Sequence, residues 1–306
     1  DFGDLFHIRP VHVGKGRRAS LYHLDSGSTK TDWALLSAGR LVCRLQTAGL
    51  NPSLMTDESI MHVLRDELLP ALKACPEFSA AEALDELVFY GAGCRPEQEA
   101  RMTDLLKQQL SALSVRVASD LLGAAHALCA QEAGIVCILG TGSGSALYDG
   151  EKFVQSTPSL GYILGDEGSG GSLGKHLVAD VFKGVLPPHL CEAFRADYPI
   201  DLPKLIQHVY REPAPNRYLA QFTPFLLRHR QEESIRAFLL NEFRTFFRRN
   251  ILPYRRPDLA VNFVGSIAAL FADELSAAAQ LEGFCTGRIL RAPLDSLIEQ
   301  ALSPEP

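Results

Sequence analysis

The chain has 306 residues, enough for about two domains, and its 46% apolar and 22% charged content is typical of a globular rather than a disordered protein. The net charge of −6 argues against a nucleic-acid partner, and no apolar run approaches the ~18 residues that a membrane span needs. The seven cysteines contain no C-x-x-C pair, so they indicate neither a zinc site nor a thioredoxin motif and suit a reducing compartment. We therefore expect a cytoplasmic protein that binds neither nucleic acid nor membrane.

The first half of the chain predicts alternating strands and helices behind a poorly ordered N-terminal arm over residues 1–20. A first strand leads into a hairpin over 31–36 and 41–45. Further along, the apolar spacing and the turn residues predict a helix over 57–72, a strand over 87–90, a helix from 96 to about 113, a strand over 115–118 and a helix that opens at Asp120.

The second half repeats this order. It predicts a buried strand over 135–139, a hairpin that turns at Asp149-Gly150, a mostly helical stretch from about 172 to 254, strands over 260–264 and 288–290, and a closing helix over 293–302. Strand, hairpin, helix, strand and helix, written twice, indicate an α/β protein with two mixed sheets. We place the domains at 21–119 and at 120–292, the latter with a helical insertion, and expect 293–306 to pack back on the first domain.

Two stretches of the chain open in the same way, 115 residues apart: Leu24-Asp25-Ser26-Gly27-Ser28 and Leu139-Gly140-Thr141-Gly142-Ser143. Small residues let backbone N–H groups approach phosphate oxygens, and Ser and Thr hydroxyls add donors. The first loop continues through Thr29 and Lys30, and Asp25 in it could face a magnesium ion through water. The pair of loops predicts a nucleoside triphosphate site.

The second loop fits neither of two common nucleotide motifs. A dinucleotide fingerprint would need glycine at position 145, where Ser145 stands, and a hairpin follows instead of a helix. A Walker loop is excluded because Gly174-Lys175 is followed by His176 instead of Ser or Thr. An ordinary glycine turn stays open as an alternative for each loop, and their pairing favours phosphate binding.

Three carboxylates lie at positions where they could take part in catalysis or in ligand binding. Asp120 directly follows a predicted strand, at the end that faces the ligand crevice in α/β folds, and could take a proton from an attacking hydroxyl. Asp is also a preferred helix N-cap, and both roles can hold together. Asp166 and Glu167 lie in a glycine-rich loop, where they could bind sugar hydroxyls, help organise a metal ion or cap the next helix.

Two other patterns favour structural interpretations. The arginines between 228 and 256 alternate with Phe and Leu at helical spacing, which is typical of a solvated helix face. The nine histidines show no metal-ligand spacing such as H-E-x-x-H, so we assign no catalytic metal held by histidine.

Five short motifs occur in an order that is similar to that of one known family. They lie at 24–33 (LDSGSTKTDW), 49–52 (GLNP), 138–143 (ILGTGS), 164–169 (LGDEGS) and 263–266 (FVGS). Together they resemble the bacterial N-acetylglucosamine kinase-like branch of the sugar kinase/actin/Hsp70 superfamily, which is grouped with ATPases of the benzoyl-CoA reductase activator type. The resemblance covers residues from about 21 to 303. It implies two ribonuclease-H-like domains of the actin/hexokinase type, with mixed sheets around a nucleotide cleft.

The resemblance also implies ATP and Mg²⁺ as cofactors and a sugar as the substrate. Asp25 would position Mg²⁺, and the general base for the 6-hydroxyl of N-acetylglucosamine, or of a related amino sugar, would be Asp120. The nucleotide would be held by Ser28, Thr29, Lys30, Gly140, Thr141 and Gly142 at the phosphates and by Gly265 and Ser266 beside the adenosine. The sugar would lie near Asn51, Ser143, Gly144, Gly161, Asp166 and Glu167. Dimers are common among relatives, so a homodimer is a candidate state.

The chain departs from the family beside the expected sugar, and other functions stay open. Gly144 stands where members often carry Asn, and Ser159-Leu160-Gly161-Tyr162 stands where they can show Gly-Trp-Gly-His, so the identity of the sugar is open. One alternative is an ATPase activator of a reductase or dehydratase, disfavoured because the chain lacks a closely spaced cysteine pair for an iron–sulfur cluster. The other is a non-catalytic sugar or nucleotide sensor, since a fold does not prove activity.

Overall fold

The computed structural model describes residues 19–24, 30–79 and 84–303. The contacts divide the chain into two compact units. The first unit runs to Ala130 and also takes up the segment from Ala292 onward, and the second unit is Gln131–Arg291. Both combine one sheet with helices, which confirms the α/β class.

Strands and helices are interspersed along both units. The strands are β1 (Ala19–Leu24), β2 (Lys30–Ser37), β3 (Arg40–Ala48), β4 (Leu84–Gly91), β5 (Ala112–Ser119), β6 (Gly134–Leu139), β7 (Ser143–Tyr148), β8 (Phe153–Thr157), β9 (Val261–Val264) and β10 (Thr286–Leu290). The helices are α1 (Asp57–His62), α2 (Leu69–Lys73), α3 (Pro76–Ser79), α4 (Pro96–Gln109), α5 (Asp120–Cys129), α6 (Gly161–Leu164), α7 (Gly170–Lys183), α8 (Pro188–Asp197), α9 (Leu202–Tyr210), α10 (Pro215–Ala220), α11 (Thr223–Arg228), α12 (Glu233–Phe246), α13 (Ser266–Leu270), α14 (Ala272–Leu281) and α15 (Leu294–Leu302). Two π-helical turns, Val63–Leu68 and Phe247–Ile251, continue α1 and α12, and a 3₁₀ turn follows at Leu252–Tyr254.

The two units have the same sheet topology. The first sheet has the order β3-β2-β1-β4-β5, and the second has the equivalent order β8-β7-β6-β9-β10. In each, the first strand pairs antiparallel with the hairpin strand that follows it and parallel with the fourth strand. The repeated order predicted from the sequence is therefore confirmed in the strand pairing of both sheets.

Element ends differ from the sequence predictions where strand pairing decides them. The helix that begins at Pro96 ends at Gln109, earlier than the expected position near residue 113, and β5 begins at Ala112 instead of residue 115. Ala112 pairs in parallel with Leu84 of β4, so hydrogen bonding to the neighbouring strand draws this segment out of the helix. Local helix propensity is weaker than such tertiary pairing.

Helices α5 and α15 pack together in the first unit. Ser296 Oγ donates to the Ala127 carbonyl at 2.8 Å, and Gln300 Nε2 donates to the His126 carbonyl at 2.9 Å. Since α5 also contacts β4 and β5, the contacts divide the chain after Ala130, whereas the sequence analysis placed a boundary after residue 119. The closing helix α15 returns to this unit.

Each unit has its own apolar core. In the first, Trp33 and Phe89 are fully buried with ring centroids 5.9 Å apart, and Trp33 Nε1 donates to Thr47 Oγ1 at 3.1 Å. The second core is rich in phenylalanine from the helical insertion and the strands, including Phe194, Phe222, Phe225, Phe243, Phe246, Phe247, Phe263 and Phe271. In the parts of the chain that the structure describes, every helix is too short or too polar to cross a bilayer.

Candidate functional site

In the second unit, backbone hydrogen bonds join the loop after β6 to the first turn of α7. The Gly140 N–H donates to the Gly142 carbonyl at 3.0 Å. From α7, the Gly170 N–H donates to the Gly140 carbonyl at 2.8 Å and the Gly171 N–H to the Thr141 carbonyl at 3.0 Å. A Cβ at position 171 would lie 2.9 Å from the Thr141 oxygen, so this close approach requires glycine. The loop is therefore held in one place beside a helix N-terminus.

The fold itself does not require glycine at positions 140 and 144. Neither residue has a left-handed φ, and a Cβ added to either would meet nothing within 4 Å. The bare backbone at these two positions therefore faces open space, where a ligand can approach closely. The positive end of the α7 dipole nearby favours an anion, while the Gly170 and Gly171 N–H groups of that helix are bound to the loop itself. At Gly140 the open backbone could accommodate the phosphate chain of a nucleotide, whereas Gly144, in β7, is the position that the resemblance assigns to the sugar.

The turn between β9 and α13 lies against the end of β6. Gly265 adopts φ +131°, and a Cβ there would lie 2.1 Å from the Leu139 carbonyl oxygen. Leu139 directly precedes Gly140, so the structure brings Gly265 and Ser266 together with the glycine loop. The adenosine contact assigned to Gly265 and Ser266 stays a prediction.

Asp166 is buried against the start of β7. It adopts a left-handed φ of +57° and is 7% exposed. Its Oδ1 accepts the Ser143 N–H at 3.2 Å, and a Cβ at Gly142 would lie 3.1 Å from its Oδ2. Burial raises the pKa of Asp166, and the hydrogen bond from Ser143 opposes that rise. A positive φ on a residue other than glycine indicates that the surroundings impose this conformation.

Two further predicted sugar residues flank Asp166 in the chain. Gly161 opens the short helix α6 with a left-handed φ of +71° and open space at its Cβ position. Glu167 points towards the end of the insertion, where its Oε1 pairs with Arg249 at 3.3 Å and its Oε2 accepts from Asn250 Nδ2 at 3.3 Å. The structure therefore engages Glu167 with protein donors, whereas Gly161 lies at an open surface.

In the first unit, Asn51 lies against the turn that follows β4. Its Oδ1 accepts the Ser53 N–H at 3.0 Å, and Ser53 Oγ donates to the Gly93 carbonyl at 2.7 Å. Gly93 has φ +75°, and a Cβ there would lie 2.1 Å from Asn51 Oδ1. Gly93 is therefore a part of this site that the sequence analysis did not assign.

Asp120 is the first residue of α5, at the carboxyl end of β5. The N-cap of this helix is Ser119, whose side chain accepts the Leu122 N–H at 3.2 Å, so the interpretation of Asp120 as the cap is wrong. Asp120 Oδ1 instead accepts the Leu121 N–H at 2.8 Å. Gly91, at the end of β4, pairs with Ser119, the residue before Asp120, so Asp120 lies beside the turn that follows β4. Burial and then the charge of Asp120 raise the pKa of Cys94 to about 12. Asn51 and Asp120 thus lie at the same edge of the first sheet.

The first phosphate loop lies largely outside the described residues. Asp25, Ser28 and Thr29 are not among them, so their assigned contacts stay predictions. Lys30 begins β2, where its half-exposed ammonium pairs with Asp32 at 2.8 Å. Over residues 19–24, 30–79 and 84–303, no group of three or more His, Cys, Asp or Glu could hold a metal ion.

The arginines of the insertion are paired with acids of neighbouring elements. Arg244 and Arg248 both bind Glu282, and Arg249 binds Glu167. The predicted solvated face is therefore a network of ion pairs at the surface. Asn250 was not predicted as a functional residue, because it lies within this arginine-rich stretch and belongs to no local motif.

Comparisons with known proteins support one family. No family model matches the chain, and no curated protein matches it. Among solved structures, a Porphyromonas gingivalis protein named a putative N-acetylglucosamine kinase is 41% identical, with a TM-score of 0.86 over 92% of this chain and 98% of that chain.

Two more distant structures show the same fold. A Chromobacterium violaceum protein with the same name is 16% identical over 94% of this chain and 99% of its own, with a TM-score of 0.71. A Streptomyces griseus ROK family glucokinase, solved with glucose and AMPPNP, is 15% identical over 93% and 97%, with a TM-score of 0.53. With two mixed sheets of equal topology and a 41% identical relative, the chain belongs to the N-acetylglucosamine kinase-like family of the sugar kinase/actin/Hsp70 superfamily.

Proposed function

We propose that this protein is an ATP-dependent sugar kinase that phosphorylates an amino sugar, with the 6-hydroxyl of N-acetylglucosamine as the first candidate. The observation that carries the proposal is the open backbone at Gly140, in the loop after β6, and at Gly144, in β7, where neither φ nor packing requires glycine. The name of the 41% identical relative supports the same reaction. The cytoplasmic location and a homodimer stay predictions from the sequence.

The second unit would hold the nucleotide and orient the sugar. ATP, when bound with Mg²⁺, supplies the phosphoryl group, and such a transfer needs mainly positioning and charge neutralisation. The backbone at Thr141 and Gly142 would face the phosphates, because the Gly140, Gly170 and Gly171 N–H groups already donate to carbonyl oxygens of the protein. The positive end of the α7 dipole would add a favourable field. Asp166 would accept hydrogen bonds from sugar hydroxyls, since its carboxylate is fixed next to Ser143.

The first unit would supply the base. Asp120 lies at the carboxyl end of β5, and a carboxylate there can accept the proton of the attacking hydroxyl. Asn51, at the same edge of the sheet, would hold the sugar through its amide. In this proposal Asp120 is the catalytic residue, and Asn51 and Asp166 are binding residues.

Replacement of Asp120 tests the assignment of the base. We expect Asp120→Asn to lower kcat by about 10²–10⁴-fold, because the amide keeps the shape of the side chain but cannot take a proton. The measurement is ADP release from ATP and Mg²⁺ with a panel of hexoses and amino sugars. Asp104→Asn, at an exposed position of α4 in the same unit, is the matched control and should keep wild-type turnover.

The same assay separates the proposed kinase from a non-catalytic sensor. ADP release that depends on a sugar, and that falls in Asp120→Asn by about 10²–10⁴-fold, supports the kinase. Tight sugar binding without ADP release from the wild type would identify a sensor. Wild-type kcat in Asp120→Asn would remove Asp120 from the mechanism.

A further inference from the structure

The second unit contains a buried hydrogen-bond network that reaches three segments of the candidate site. The network starts from the π-helical turn Phe247–Ile251 at the end of the insertion and from Tyr254 just beyond it. It reaches β7, the end of β8 and the loop that carries Asp166. π-helical turns occur often at functional sites, and this one makes contacts with each of these segments.

The backbone of the turn binds two strands. The Asn250 carbonyl accepts from Ser145 Oγ at 3.2 Å and from Thr157 Oγ1 at 2.9 Å. The last carbonyls of a helix lack N–H partners further along it, so these two hydroxyls satisfy an otherwise orphaned acceptor. Ser145 lies two residues after Ser143, and Thr157 ends β8 two residues before Ser159, whose Oγ donates to the Ser143 carbonyl at 3.2 Å.

The side chain of Asn250 binds the third segment. Its Nδ2 donates to Glu167 Oε2 at 3.3 Å and to the Phe246 carbonyl at 3.3 Å. Glu167 directly follows Asp166, and Arg249 from the same turn pairs with the other oxygen of Glu167. Asn250 is only 8% exposed, so an unmatched polar group at this position would be costly.

Tyr254 closes the network with a defined direction. When Ser145 gives its one hydroxyl proton to the Asn250 carbonyl, the Tyr254 hydroxyl donates to Ser145 Oγ, 2.7 Å away. The Tyr254 oxygen in turn accepts the Thr157 N–H at 2.9 Å. Burial raises the pKa of Tyr254, so the phenol keeps the proton that it donates. Each hydroxyl proton in the chain of bonds therefore has one acceptor.

We propose that Asn250 and Tyr254 are positioning residues that fix the sugar-contacting geometry of Ser143 and Asp166. The inference rests on the proposed function, because that function assigns the sugar contacts. Asn250 and Tyr254 act through Ser145, through the segment from Thr157 to Ser159 and through Glu167. They set where the contacting atoms lie and take no part in the transfer itself.

Two substitutions test the positioning role by kinetics. In Asn250→Ala and Tyr254→Phe we expect the KM for the sugar to rise about tenfold, equivalent to about 1.4 kcal/mol and to the loss of one hydrogen bond. The KM for ATP should change by less than about twofold. The matched controls are Asn241→Ala, on the exposed side of α12, and Tyr210→Phe, at a residue that is 75% exposed. Both should keep wild-type constants.

A third variant should give a pH dependence of the sugar KM that a loss of stability alone would not produce. Asn250→Asp places a carboxyl group against Glu167, so the pair should share one proton at low pH and repel once that proton is lost. We expect its sugar KM to be near the wild-type value at acidic pH and to rise with increasing pH. Wild type and Asn241→Asp should show no such rise. A pH-independent sugar KM in Asn250→Asp would contradict the proposal.

Amide hydrogen exchange tests the hydrogen-bond network independently of the sugar kinetics. In Asn250→Ala and Tyr254→Phe, amides over 157–169 should exchange faster than in wild type, whereas those of α9 should not change. If wild type turns over a sugar and these variants keep its KM, the positioning role is overturned. If wild type turns over no sugar, the proposed function fails, and unchanged exchange over 157–169 would then overturn the network as well.

Discussion

At the scale of single residues, Asp166 combines a strained backbone with a costly charge. Its φ of +57° and its burial both oppose folding, and burial raises the pKa of the carboxyl. A chain that needed only a turn here could use glycine or asparagine, which adopt this conformation more readily. In the proposed function, the carboxylate at this strained position serves sugar binding more than stability.

Replacement of Asp166 should therefore separate stability from activity. The folded protein holds the Asp166 proton to higher pH than the unfolded chain does, so the charged form costs stability as pH rises above its usual value of 3.8. We expect Asp166→Asn to be more stable than wild type at about pH 7 and to lose this advantage at about pH 4. Sugar-dependent turnover should fall sharply. Urea unfolding at both pH values measures the first effect, with Asp104→Asn as the control; an Asp166→Asn variant less stable at neutral pH would contradict this account.

At the scale of elements, the candidate site of the second unit lies where neighbouring strands end. Three backbone segments of the second unit meet within hydrogen-bond or van der Waals distance: the end of β6, the start of α7 and the turn from β9 into α13. Glycines at 171 and 265 allow these approaches, because a side chain at either would collide with a carbonyl oxygen. The shape of the glycine loop is thus a consequence of element packing as much as of the loop residues themselves.

Gly265→Ala tests how tightly these elements meet. Gly283 is the matched control, since its φ of +81° is also positive but a Cβ there would meet nothing within 4 Å. Gly283→Ala should cost about 1–2 kcal/mol of unfolding free energy from backbone strain alone. We expect Gly265→Ala to cost at least about 2 kcal/mol more, because its Cβ would also collide with the Leu139 carbonyl. Equal losses in urea unfolding would show that the β6 end can move away.

At the scale of the whole molecule, the two units have the same sheet topology. Each has candidate site residues at one edge of its sheet. The first unit adds the closing helix α15, which binds two consecutive carbonyls of α5, at His126 and Ala127. His126 is buried, and its Nδ1 lies 2.8 Å from the Tyr90 hydroxyl of β4. Burial and the positive charge of Arg116 lower the pKa of His126 to about 4. The packing of α5 in the first unit therefore depends on a neutral histidine.

This histidine should contribute to the acid sensitivity of the molecule. The usual pKa of histidine is 6.5, and that of His126 in the folded protein is about 4. Between these two pH values the unfolded chain binds a proton at His126, whereas the folded protein does not. Stability is therefore full above about pH 6.5 and falls as pH drops, by up to about 3 kcal/mol. In His126→Gln we expect a smaller fall over this window in unfolding experiments. The control His189→Gln, at an exposed position of the second unit, should keep the wild-type dependence of unfolding free energy on pH. The same wild-type dependence in His126→Gln would contradict this explanation.

Much of the architecture could be predicted because local patterns carry it. The order of strands and helices follows from apolar spacing and turn residues, and helix 57–72 and strand 135–139 occur within one or two residues of their expected ends. The exceptions lie where pairing with a distant strand competes with local propensity, as at Ala112 of β5. The Asp120 cap was misassigned because Ser119 and Asp120 are both good caps, and only the observed backbone conformation distinguishes them.

By itself, the sequence determined the duplicated α/β order, the family and the glycine loop, since each of these depends on residue types at short spacing. Only the tertiary structure decided which distant residues meet: Gly93 with Asn51, the end of β6 with Gly265, and Asn250 with Glu167, Ser145 and Thr157. These contacts join residues far apart in the chain. They come from strand pairing and helix packing, which leave no mark in a local motif.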